Sequence, residues 1–199
     1  MLKSWVQTQI DEISVLVLEP NPSDWLKSLF GKGLVELNPR KIPKQIDICV
    51  LAVKPQKLAE VLEENRSKIC KKTLIVSVVA GKDFNFFQSY FEKNQSIIRV
   101  MPNTPVSVNQ GVSAIVAGEF ANESEIEWVK KLFTPLGEVV LLDKESEIDA
   151  VTAISGSGPA YVFNFIENLI EMAEELGLST KVSKKLVIQT VVGAGVLAE

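Results

Sequence analysis

The 199-residue chain is 46% hydrophobic and 23% charged, which supplies one sizeable core, or one compact domain plus part of another, and excludes a disordered or collagen-like chain. Its formal net charge of −4 argues against a general nucleic-acid binder, because a surface without positive excess gains little from counterion release on a phosphate backbone. The absence of histidine removes Ser-His-Asp and Cys-His hydrolases, most catalytic zinc sites and any imidazole acid or base, leaving carboxylates, lysine, hydroxyls, backbone amides or a cofactor to do chemistry.

Residues 1–10 form an amphipathic stretch with Leu2, Trp5, Val6 and Ile10 at helical spacing. This opening lacks the charged-then-apolar order of a signal peptide, and no apolar run reaches the roughly eighteen residues of a bilayer span, so the reading is a cytoplasmic protein. A β-branched run over residues 13–18 predicts a strand, and Asn21-Pro22-Ser23-Asp24 turns into a short helix that runs through Phe30 and ends at Gly31 or Gly33. The run over residues 47–53 is continuously apolar after Asp47, as a strand buried on both faces of a parallel sheet must be. Cys49 within it and Cys70 among lysines read as packing residues, too few and too isolated for a disulfide framework or a structural zinc site. Lys54-Pro55 stops the strand, and residues 56–70 carry Leu58, Val61, Leu62 and Ile69 on one helical face.

The alternation repeats with a strand over 73–80, a turn at Gly81, an aromatic helix over 84–91 and a strand over 97–101, a pattern of parallel βαβ units. Beyond Pro102-Asn103-Thr104-Pro105, strands over 112–117 and 139–142 flank a helix from Glu123 with Trp128, Leu132 and Phe133 as its core stripe. From Lys144 onward only helices are predicted. The fold class is therefore α/β, a mostly parallel sheet followed by an all-helical region, with the change near residue 144. Both ends read as cut. The first helix lacks the strand and glycine-rich turn that open a nucleotide-binding sheet, and residues 192–199 stop inside a helical pattern without a cap.

Three segments carry candidate chemistry. Leu51-Ala52-Val53-Lys54-Pro55 ends a strand at the carboxyl edge, where open α/β sheets bind ligands; a strand stopped by proline beside a solvated lysine reads the same. Val100-Met101-Pro102-Asn103-Thr104-Pro105 holds an amide between two prolines, either to hydrogen-bond a ligand or as a rigid turn. Asp149-Ala150-Val151-Thr152-Ala153-Ile154-Ser155-Gly156-Ser157-Gly158-Pro159-Ala160-Tyr161 permits close backbone approach to a ligand or simply connects two helices.

In this order and spacing, the three segments closely resemble pyrroline-5-carboxylate reductase over the whole chain, the third being the most specific. The resemblance implies a Rossmann-like NAD(P)-binding domain over 1–143 without its first strand. It also implies an incomplete helical dimerisation and substrate domain over 144–199, and a homodimer or higher homo-oligomer. The implied reaction is hydride transfer from NADPH or NADH to 1-pyrroline-5-carboxylate, giving L-proline; no general acid is nominated. Carried across residue by residue, Ala52, Val53, Lys54 and Pro55 line the dinucleotide, as do Val78, Val79 and Ala80 at the next strand end. Asn21 meets the adenosine ribose, Asn103 lies near the nicotinamide, and Glu145 lies near the substrate. A family segment of the Ser-Pro-Gly-Gly-Thr type has no counterpart before Glu199.

Cofactor choice stays open at this point. Glu19 stands where an acidic side chain accepts from a ribose 2′-hydroxyl, which favours NADH, whereas Pro20 and Asn21 could turn it away. Two function classes also remain: a reductase, or a truncated non-catalytic remnant that keeps the helical dimer surface as an interaction protein. A different dehydrogenase of the same superfamily is a weaker third.

Overall fold

The computed structural model describes residues 1–7 and 13–199; Ile10 of the predicted first helix lies outside them. The chain forms two compact units, Met1–Thr152 and Ala153–Glu199. The first unit is layered. Helix α1 (Leu2–Gln7) precedes a parallel pair, β1 (Leu16–Val17) and β2 (Glu36–Leu37), with α2 (Asp24–Gly31) between them. A second sheet has the order β3-β4-β5-β6-β7, made of β3 (Ile48–Leu51), β4 (Leu74–Ser77), β5 (Ile97–Pro102), β6 (Gly111–Ala117) and β7 (Gly137–Leu141). Every neighbouring pair in it is parallel except β5 with β6.

The centre of this sheet is apolar on both faces because side chains alternate along a strand. Leu74, Val76, Ile98 and Val100 point to one face, where α5 (Glu123–Phe133) supplies Val129, Leu132 and Phe133. Ile75 and Ile97 point to the other, against Leu58 and Leu62 of α3 (Leu58–Asn65) and Phe87 of α4 (Phe84–Gln88). The predicted 47–53 strand differs from these two. Its Ile48, Cys49 and Val50 are only half-buried, because β3 is the edge of its sheet and only Leu51 reaches the covered interior. Helix α1 ties the two sheets together, with Leu2 and Val6 against β1 and β2 and Met1 and Trp5 against the larger core. The Trp5 indole donates to the Leu132 carbonyl at 2.6 Å.

Local signals explain where elements begin. Ser23 caps α2 through the Leu26 N–H, and Asn122 with Glu125 forms a reciprocal capping box on α5. One predicted core position is corrected. Trp128 is 47% exposed, its ring covered by the Lys131 ammonium at 5.1 Å, and Val129 takes the core position. The buried stripe is 129, 132 and 133; Trp128 lies about 100° round the helix from Val129, outside it.

Packing divides the chain later than composition does. Helix α6 (Glu147–Val151) follows the last strand but belongs with the first unit, since Ile148 and Val151 pack with Met101 and Val116. The backbone then widens into a π-helical turn over Thr152–Gly156. In the second unit α7 (Gly158–Glu175) and α8 (Thr180–Ala198) form a helical hairpin. Gly177, at φ +92°, closes α7 with a Schellman pair, Gly177 N–H to the Glu174 carbonyl and Leu178 N–H to that of Ala173.

The correction on α5 is directly measurable. Phe133→Ala is expected to cost about 3–5 kcal/mol in urea unfolding and Trp128→Ala less than about 1 kcal/mol; equal losses would contradict the burial pattern.

Candidate functional site

Three parallel strands deliver their carboxyl ends to one edge of the larger sheet. The register pairs Leu51 with Ser77, and Ser77 with Arg99, so β3 and β4 end level with one another and β5 runs three residues further, to Pro102, at the same edge. This brings together Ala52, Val53, Lys54 and Pro55, then Val78, Val79 and Ala80, and finally Asn103. Because β6 runs back against β5, with Pro102 opposite Ser113, the beginnings of β6 and β7 complete the same edge.

The backbone there is held in specific ways. Lys54 is extended, at φ −62° and ψ 138°, and its carbonyl accepts from the Lys57 N–H at 2.9 Å, starting a short turn of 3₁₀ helix at Pro55. Among the described residues the Lys54 ammonium makes no ion pair. Val78 continues the ladder by donating to the Leu51 carbonyl at 3.1 Å. Val79 turns into the core at 4% exposure, so whatever it offers a ligand comes from its backbone. Ala52 and Ala80 are exposed, which leaves small side chains at the ends of buried strands. Gly81, at φ +69° with open space where a Cβ would lie, lets the chain turn away directly.

Asn103 is the most constrained residue of the edge. Its Oδ1 accepts from the Val112 N–H at 2.9 Å, and its N–H donates to the Val112 carbonyl at 3.2 Å. The amide therefore splices the end of β5 to the beginning of β6. Its Nδ2 makes no hydrogen bond among the described residues and is available as a donor. Gly111 is required here, since a Cβ on it would meet the Asn103 Oδ1 at 2.9 Å and collide with Val106.

Two nominated residues stand elsewhere. Asn21 follows β1 on the smaller sheet, with its N–H donating to Glu19 Oε1 at 2.9 Å. Glu145, in the segment after β7, pairs with Arg99 at 2.7 Å and accepts the Phe84 N–H at 2.7 Å through the same oxygen. Arg99 stands opposite Ser77, level with the ends of β3 and β4, so the Glu145 charge is held there, about 13 Å along β5 from Asn103. Arg99, with a side chain only 7% exposed, is the buried charged residue that pattern reading passed over. Its signal was a lone cation inside the apolar run 97–101, which can be buried only if paired. Neither cysteine belongs to the edge: burial pushes the Cys49 thiol up to about 11, and the Thr73 hydroxyl holds the Cys70 thiol below its ordinary value.

Residues 145–199 match the pyrroline-5-carboxylate reductase dimerisation family. A solved pyrroline-5-carboxylate reductase from Coxiella burnetii superposes with a TM-score of 0.87 at 31% identity, over 99% of this chain and 74% of that one. The chain belongs to the pyrroline-5-carboxylate reductase family. Residues 1–81 also match the family described as NADP oxidoreductase coenzyme F420-dependent. Pyrroline-5-carboxylate reductase of Pseudomonas aeruginosa is 35% identical over 169 residues, 85% of this chain and 62% of the relative. The Plasmodium falciparum pyrroline carboxylate reductase, solved with NADP bound, has a TM-score of 0.81 at 28% identity, covering 96% of this chain and 71% of that one. The chain spans between 52% and 62% of the length of the curated relatives it matches. The α/β sheet with a helical carboxyl-terminal region is the fold of this reductase family.

The Arg99–Glu145 pair makes its own prediction. Glu145→Ala leaves a guanidinium buried and unpaired, an expected loss on the order of 3 kcal/mol in chemical unfolding. A double-mutant cycle with Arg99→Ala should return a coupling above about 1 kcal/mol; additive losses would mean the pair contributes nothing.

Proposed function

We propose that this chain carries the reductase activity of its family, hydride transfer from NADPH or NADH to the imine carbon of 1-pyrroline-5-carboxylate to give L-proline. The observation that carries the reading is the shared edge formed by the ends of β3, β4 and β5 in a chain whose carboxyl-terminal region matches the family's dimerisation domain. The residues present suit a dinucleotide: small exposed side chains at Ala52 and Ala80, a glycine turn at Gly81, and an amide donor at Asn103 in a fixed position.

The dinucleotide supplies the hydride, and a protonated imine is already electrophilic, so the protein's work is orientation and exclusion of water. In this reading Asn103 presents its Nδ2 near the nicotinamide, and the segments 52–55 and 78–80 line the cofactor through backbone and small side chains. Asn21 belongs to the adenosine end. Glu145, held through one oxygen by Arg99 and the Phe84 N–H, lies near the substrate.

The test is consumption of NADH or NADPH with 1-pyrroline-5-carboxylate as acceptor, with proline measured as product. Asn103→Asp keeps the acceptor for the Val112 N–H and removes the amide donor; it should fold normally and lose at least about tenfold in turnover. Unchanged turnover in that variant would remove Asn103 from the cofactor site, and absence of proline formation by the parent chain would remove the catalytic reading.

Self-association belongs to the same reading. Helix α7 has no buried residue within the chain. Phe163 is 59% exposed, Phe165 55%, Met172 54%, Val192 54% and Val196 68%, so the apolar surface of α7 and α8 exceeds what one hairpin can cover. Each large side chain left in water forgoes roughly 1.5–3 kcal/mol. A homodimer formed through these helices hides them, which accords with the matched dimerisation family. Sedimentation at micromolar concentration should show a dimer or larger species, and Phe163→Asp with Phe165→Asp should shift it toward monomer; a well-behaved monomer of the parent chain would contradict the assignment.

A further inference from the structure

The first unit holds two sheets instead of one, and we propose, independently of the reductase reading, that the interval between β1 and β3 is a strand-binding slot. It takes an extended, uncharged peptide of about five residues. Among the described residues β1 pairs only with β2 and β3 only with β4, so each has one edge without a neighbour. Peptide groups alternate between the two edges of a strand, and the observed bonds settle which residues face the slot. On β1 the carbonyls of Val15 and Val17 accept from the Glu36 and Asn38 N–H groups, which turns Leu16 the other way. On β3 the carbonyls of Asp47 and Leu51 accept from the Leu74 and Val78 N–H groups, which turns Ile48 and Val50 away from β4. The N–H groups of Leu16, Ile48 and Val50 make no hydrogen bond to another element among the described residues.

Packing brings the two open edges under one helix. Glu36 of β2 is exposed, whereas Val15, Leu16 and Val17 are all partly covered, so β1 is the inner strand of its pair. Leu2 and Val6 of α1 rest on the cluster that takes Val15 and Val17. Met1 and Trp5, on the adjoining side of the same helix, rest on the core against which Ile48 and Val50 also pack. A helix about 10 Å across covers about two strand spacings, the width that one intervening strand fills. Both faces of β3 are packed, Ile48 and Val50 against one cluster and Cys49 against the other, yet all three are only half-buried. Their exposure is therefore through the edge, where a further strand would remove it.

The slot also selects its occupant by chemistry. Sheet edges left open to water are ordinarily guarded by lysine, proline or a bulge, but residues 13–18 and 48–53 contain no charge and no proline. A peptide laid between them has a strand on each side, and its N–H and C=O groups find partners on both edges whatever its side chains are. With α1 above it, the peptide must be uncharged, as β4 is, whose Leu74–Ser77 are buried throughout. A second copy of the chain has no such strand to spare, since each of the seven strands is already hydrogen-bonded within a sheet. The occupant is an apolar strand from outside residues 1–199.

The experiment uses the full 199-residue chain and a labelled peptide copying residues 71–81, KKTLIVSVVAG, whose middle forms a doubly covered strand here and whose two lysines keep it soluble. Fluorescence anisotropy follows binding, and backbone hydrogen exchange locates it. The peptide should bind saturably, one per chain, with Kd below about 100 μM. Exchange at Leu16, Ile48 and Val50 should slow by at least about tenfold, while α7 and α8 are unchanged. Val50→Pro removes an N–H that points into the slot and none that the β3–β4 ladder uses; it should keep its far-UV circular dichroism and weaken the peptide at least about tenfold. Leu16→Pro tests the opposite edge in the same way, so a folding failure in one variant leaves the other. The same peptide with proline in place of its central valine should not bind. Absence of saturable binding, binding that leaves the three amides unprotected, equal binding of the proline-containing peptide, or affinity unmoved in both folded variants overturns the proposal. So does protection of those amides that grows with the concentration of the chain alone, which would make a second copy the occupant. None of these readings requires reductase activity, so loss of the catalytic reading and loss of the slot are told apart.

Discussion

Strands β4 and β5 are covered on both faces, and that burial dictates where ligands can approach. A strand with helices above and below cannot offer its side chains to a ligand, so only the residues just past its end are free to do so. Ser77 and Arg99 show the cost of placing polar groups inside such a strand. Each must be satisfied within the protein, Ser77 by accepting the Val79 N–H and Arg99 by pairing with Glu145. Polar chemistry that is to remain available moves to the edge, and Asn103, just past the end of β5, has an amide donor left over among the described residues.

The reversal between β5 and β6 then determines how rigid that edge is. Parallel strands need a crossover to return, but β6 pairs back on β5 after a short turn through residues 103–110. The turn is fixed by Asn103 spanning to Val112, by Pro105 in its first helical positions and by Asn109 in the left-handed region at φ +60°. Ser4 of α1 donates to the Asn109 side chain at 2.6 Å, so the helix that joins the two sheets also braces this turn. The amide proposed to meet the nicotinamide is therefore positioned by contacts that reach across the whole first unit.

Much of this was legible in the amino-acid pattern. Continuous apolar runs gave the central strands, alternating with helices of ordinary length, and prolines marked the strand ends at 55, 102 and 105. The turn at residues 21–24 and the start near Glu123 placed α2 and α5 closely, and Ser23 and Asn122 cap them. What stayed illegible had physical reasons. Strand β2 has only two residues, Glu36 and Leu37, too few for any period to register, and it exists because it pairs with β1. On α5 the large Trp128 was read into a stripe whose Leu132 and Phe133 are indeed buried, and Val129 was missed, because size is not burial. The substrate role carried to Glu145 came from position in a family, whereas its partner, Arg99, comes from a strand 46 residues earlier; a contact of that range leaves no local signature. The change of composition near 144 marks the end of strands, not the end of packing, since Ile148 still anchors α6 to the sheet.

The chemistry assigned to the edge is consistent with what is missing from the sequence. Without histidine, and with Glu145 and Arg99 bound to one another, the groups gathered after β3, β4 and β5 are alanines, valines, prolines, an amide and one lysine. Such a set orients a flat ring and a sugar well and transfers protons poorly. A hydride transfer to an activated imine asks for the former. Charge instead enters at the other end of the proposed dinucleotide site, where Glu19 is held by Asn38 and Asn21.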